Sequence, residues 1–176
     1  DSPFVTSASM ARARGMMAGS TWIVLLPVSS TWATPARPFM AIQGQWAQLL
    51  QVALDHGERL GPDLRRSVDE AIQRAAQSIR KRNVGPGYTN IAIMGSYVTL
   101  VAAELFKDAD LLQYALARWR RFQEFTKQNG GFSEYNSPTY TAVTLRALKQ
   151  LVDLVQHEET RQRAKAMSAR LALSVA

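Results

Sequence analysis

The residues with the most chemistry per unit length are Gly130-Gly131-Phe132-Ser133-Glu134-Tyr135-Asn136-Ser137-Pro138-Thr139-Tyr140. This stretch holds a carboxylate, two tyrosines and an asparagine, and it ends in a helix start. Pro138 suits a first helical turn, where its missing N–H would be unpaired anyway, and Ser137 is a natural N-cap. Glu134 and Asn136 then share one side of a short extended approach, facing a helix N-terminus with free N–H groups. A carboxyl lodged among Phe132, Tyr135 and Tyr140 loses hydration, which favours its protonated form and suits a general acid. Tyr140 is a second proton-transfer candidate. Plainer roles stand beside these. Glu134 would fix the loop through a backbone N–H or an arginine, Tyr140 would be core, and Asn136 and Ser137 would be turn and cap residues.

The elements that must position this stretch are helices. Apolar residues at helical spacing predict one over Gln45–Arg59 (Trp46, Leu49, Leu50, Ala53), after an irregular entry at 37–44. Pro62–Arg82 follows, with Leu64, Val68, Ala71, Ile72, Ala75 and Ile79 on one stripe. The turn Asn83-Val84-Gly85-Pro86-Gly87 stops it. The next helix, Thr89–Phe106, carries no charge from Tyr88 to Ala103 and is apolar all round, the pattern of an inner, enclosed helix. Asp108 caps a fourth helix running to Gln128, with Leu112, Ala115, Leu116, Trp119 and Phe122 inward and Arg118, Arg120 and Arg121 toward water. Ser137 opens another mostly apolar helix, and a polar-faced one covers Glu158–Leu173. Tyr88-Thr89 and Tyr140-Thr141, 52 residues apart, echo one another, as stacked helical hairpins would. The expected fold is all-α.

The N-terminus reads differently. A basic start at Met10–Arg14, the apolar run Trp22–Val28 and small residues from Ser29 to Ala36 make the three-part pattern of a secretory signal peptide. The expectation is a signal at 1–36, with Met10 as the start and Asp1–Ser9 over-read, and a helical domain at 37–176. The protein would then be secreted or periplasmic, with no stable membrane span after processing. The chain has no cysteine, which excludes disulfides, thiolate metal sites and cysteine nucleophiles. His56 and His157 lack metal-ligand spacing, so no metal or other cofactor is expected. Net charge is +7, and residues 1–36 hold only two arginines and one aspartate, so the remainder keeps +6. A basic chain suits acidic partners. Interleaved acids on the arginine faces and the lack of a stacking platform argue against nucleic acid.

Alternating inner and outer helices, with Gly-Tyr-Thr-Asn-Ile opening one inner helix and Glu-Tyr-Asn-Ser-Pro-Thr-Tyr the next, resemble part of an (α/α) toroid of the six-hairpin glycosidase-like superfamily. The resemblance covers about Gly85 to Val155. It implies a carbohydrate-active protein whose working groups lie in the loops before the inner helices. Glu134 would be the acid of a hydrolase, with Tyr88, Asn90, Tyr135 and Asn136 holding sugar. Alternatively, Tyr140 would move the proton in a polysaccharide lyase acting on an acidic polymer. A glycosidase needs a second carboxylate across the sugar, and no partner for Glu134 is evident. A toroid also needs about six hairpins, more than this chain offers, which implies a fragment, a truncated relative or self-association. The reading from another class is a non-catalytic helical scaffold or binding module.

Overall fold

Glycine- and proline-rich turns divide residues 39–174 into helices whose ends follow local signals. The structure, a computed structural model, describes residues 14–18, 21–25, 39–133 and 137–174, the backbone alone for 14–18, 21–25, 39–44 and 174. It divides into two units, Asp1–Arg37 and Pro38–Ala176. In the first, β1 (Arg14–Ala18) and β2 (Thr21–Leu25) pair antiparallel, with Arg14 opposite Leu25 and Ala18 opposite Thr21. The apolar run read above as the centre of a signal therefore supplies a strand, which the helical periodicities had not suggested.

The second unit is helical throughout its described elements: α1 (Phe39–His56), a 3-10 turn Gly57–Arg59, α2 (Pro62–Arg82), α3 (Thr89–Leu105), α4 (Ala109–Gln128), α5 (Pro138–Leu154) and α6 (Glu158–Ser174). Helix α1 begins at Phe39, so residues 39–44 of the entry expected to be irregular are helical. Elsewhere the signals act as expected. Asp108 accepts from Leu111 N at 2.9 Å to cap α4, and Ser137 accepts from Tyr140 N at 3.4 Å to cap α5. Asn83 ends α2 in the left-handed region, at φ 42°.

The helices form three hairpins, α1 with α2, α3 with α4 and α5 with α6, and α3 also packs against α1, α2 and α5. So α1, α3 and α5 make one row with α3 at its centre. Burial follows from that placement. Ile93, Tyr97, Val98, Leu100 and Ala102 on α3 are sealed from solvent, each large one contributing roughly 1.5–3 kcal/mol. Polar groups survive inside α3 by bonding back one turn: Ser96 Oγ donates to Ala92 O at 2.9 Å and Thr99 Oγ1 to Gly95 O at 2.7 Å. Among the described residues, no helix is long and apolar enough to cross a membrane.

Helix α5 differs from expectation. Only the stripe Thr141, Thr144, Ala147, Leu148 and Leu151 is buried, while Val143, Leu145, Val152 and Leu154 are half-covered. The register differs too. Helices α3 and α5 are each 17 residues long and their starts, Thr89 and Pro138, lie 49 residues apart. Tyr140 thus stands about one turn further into its helix than Tyr88, which is the residue before α3.

Candidate functional site

Two connections fix the relative direction of α3 and α5. The Glu104 carboxylate, at the C-terminal end of α3, accepts from Gln156 N at 2.8 Å and His157 N at 3.0 Å, just beyond the end of α5. With their C-terminal ends together and the two helices packed on each other, α3 and α5 run in the same direction and both start toward the opposite end. There the turn before α3 approaches α4, since a Cβ on Gly87 would lie 3.8 Å from Phe125 Cζ. The stretch after α4 is anchored there as well. Gly130 turns at φ +70°, as glycine permits. Phe132 is then buried with its ring 6.1 Å from Phe122, which stacks on Trp119 at 5.8 Å.

Onto this frame the candidates fall unequally. Tyr88 is 63% exposed and makes no side-chain cap bond. Tyr140, in the first turn of α5, is 36% exposed, so it is not core. Both therefore offer ring surface to solvent at neighbouring helix starts. Asn90, expected to hold sugar, lies in the first turn of α3. It is buried, and its Oδ1 accepts from Ile91 N at 2.7 Å, which commits it to the start of α3. Glu134, Tyr135 and Asn136 lie outside the described residues. Among the described residues no group of three His, Asp or Glu could hold a metal ion.

Sequence reasoning placed Arg118 in water, and the structure buries it. Its guanidinium lies against Gly95, where an added Cβ would come within 2.9 Å of Nη2. Burial pushes its pKa down; nearby Tyr114 works against that, and Arg121 adds to it. Tyr114 nevertheless makes no hydrogen bond to it, and Nε, Nη1 and Nη2 have no acceptor among the described residues. The Tyr114 hydroxyl donates instead to Asn83 Oδ1 at 3.1 Å, and Arg121 Nη2 donates to the same oxygen at 3.0 Å. The missed signal was positional: Leu111, Ala115, Arg118 and Phe122 step by four, three and four residues, which is one helical face. The outer arginines behave as expected, with Arg65 on Asp69, Arg74 on Glu70 and Arg80 on Asp110.

Residues 28–175 match the family model described as Domain of unknown function (DUF8769). No curated protein and no solved structure matches the chain.

Proposed function

The chain belongs to the DUF8769 family, and from that premise we propose a carbohydrate-binding role for its row of helical hairpins, at the end where α3 and α5 begin. One observation carries the reading. Tyr88 and Tyr140 are exposed near the starts of two helices that pack on each other, whereas Tyr97, Trp119, Phe122 and Phe132 of the same unit are buried. A tyrosine ring presents an apolar face together with a hydroxyl, the combination that a sugar ring, apolar on its faces and polar at its rim, can use. We take the three hairpins as an arc of an (α/α) toroid and place the protein outside the cell or in the periplasm, on the pattern at Met10–Ala36. The positive charge suits acidic polysaccharides best.

Retention is favoured over turnover because neither α3 nor α5 has an acidic residue in its first turn, and hydrolysis needs two carboxylates. In the hydrolytic alternative Glu134 protonates the leaving oxygen while Tyr135 and Asn136 position the sugar; in the eliminative one Tyr140 moves the proton. The test is affinity electrophoresis through gels containing neutral or acidic polysaccharides, with Tyr88→Ala and Tyr140→Ala alongside the natural chain. Each substitution is expected to weaken retention on the order of ten-fold, the loss of one aromatic contact, and to leave the melting temperature unchanged. Migration unaffected by any polysaccharide would sink the proposal. Release of reducing or unsaturated sugar, lost in Glu134→Gln or Tyr140→Phe respectively, would move the protein into the enzyme class.

A further inference from the structure

Arg118 is only 4% exposed and carries a guanidinium with no acceptor for any of its three nitrogens among the described residues. A guanidinium does not shed its proton at neutral pH, so burying it without a counter-charge is among the costliest arrangements a fold can hold. The surroundings provide space in place of an acid. A cavity of about 20 Å³ lies beside the guanidinium, walled by Val84, Gly85, Pro86, Ala92 and Phe122, with Arg121 as a second cation. Among the described residues, no carboxylate lines it. Ala92 and the Val84–Pro86 turn also place it near the start of α3, the positive end of that helix's dipole. Gly95 completes the arrangement, because any larger residue would drive its Cβ into Arg118 Nη2.

We propose that this cavity binds one monatomic anion, a halide such as chloride, held between Arg118 and Arg121. Two cations, a helix start and no acid among the described lining residues set the sign of the ligand. The volume sets its size, being about the room of one water molecule. Chloride meets that limit, and formate and sulfate exceed it. The Arg121 side chain is exposed and shares one N–H with Asn83, so it forms the outer wall through which the anion enters. The inference is independent of the glycan proposal.

The test is thermal unfolding of the full chain at constant ionic strength, with chloride, formate or sulfate varied in turn. Chloride is expected to raise the melting temperature to a plateau, whereas formate and sulfate give no plateau. Arg121→Gln should raise the half-saturating concentration on the order of ten-fold, the effect of losing one charge-assisted contact. Arg118→Met should abolish the plateau while melting no lower than the natural chain does without anion, since an unpaired buried charge has been removed. Arg121 is exposed, so its variant decides the matter even where Arg118→Met fails to fold. The proposal is overturned by the absence of a plateau in the natural chain, by equal responses to all three anions, or by an unchanged half-saturation in Arg121→Gln.

Discussion

Helices α3 and α5 have the same length, occupy the same row and start beside a tyrosine-bearing loop, yet one is sealed and the other half-open. Helix α3 is wrapped by α1, α2, α4 and α5, and α5 has only α3 and α6 as principal neighbours. The difference teaches that apolar composition sets how many faces a helix can bury, while the number of neighbours sets how many it does bury. Composition is not silent on the point. Helix α3 carries no charge until Glu104, whereas Arg146, Lys149 and Asp153 mark one face of α5, with Lys149 on Asp153 at 2.6 Å. The polar stripe on α5 was the signal that it is one-sided.

The comparison can be broken most directly in the core. Leu100→Ala on α3 is expected to cost about 2–5 kcal/mol, because the surrounding helices cannot collapse onto the cavity. Leu145→Ala on α5 should cost about 1 kcal/mol or less, since that side chain is only partly removed from water. Urea unfolding of both variants measures the gap. Equal losses would mean that α5 is as enclosed in solution as α3, and sedimentation would then show whether a second copy encloses it.

Tyr97 sharpens the contrast through pH. Its hydroxyl is buried on α3 without an acceptor among the described residues, and burial first, then Asp55, holds its pKa well above the ordinary tyrosine value of 10.0. The folded state thus keeps a proton that the unfolded state releases, so stability is unaffected below pH 10 and falls as pH rises above it. Tyr97→Phe should flatten that alkaline limb by about 1.4 kcal/mol per pH unit. An unchanged limb would assign the loss to other groups. The smallest expected effect joins the two helices. Glu104→Ala removes the acceptor of Gln156 N and His157 N, one of them exposed, for about 1 kcal/mol in equilibrium unfolding. Amide exchange should quicken at the start of α6 and stay unchanged in the middle of α3.

Much of the helical layout was legible because its signals are local. Ser137 and Pro138, Asp108, and the run from Asn83 to Gly87 act within one turn of themselves, and α2 spans the predicted Pro62–Arg82. What sequence could not supply depends on distant partners. Arg118 looked like its exposed neighbours Arg120 and Arg121, and only the glycine on α3 opposite it makes room for its burial. Asn90 looked like a ligand-binding amide at a loop, and its helix turns it inward. The β1–β2 pairing rests on a register between two short runs, each too brief to show a strand period. For the candidate site, the exposure of Tyr88 and Tyr140 depended on which neighbours α3 and α5 acquire. Glu134, Tyr135 and Asn136 lie outside the described residues.

The Glu104 contact also bears on the order in which the chain assembles. Every principal helix pairing lies within a hairpin or between adjacent hairpins, so each step closes a short stretch of chain and can be fast. Helix α3 can settle with α4 before α5 and α6 arrive, but its terminal carboxylate finds the amides of Gln156 and His157 only after that last hairpin has docked. A contact made that late is expected to form after the folding transition state, so Glu104→Ala should quicken unfolding and leave the refolding rate unchanged, as stopped-flow kinetics would read. Glu104 thereby sets how long the final hairpin stays in place, while the enclosed middle of α3 decides whether there is a surface for it to dock on.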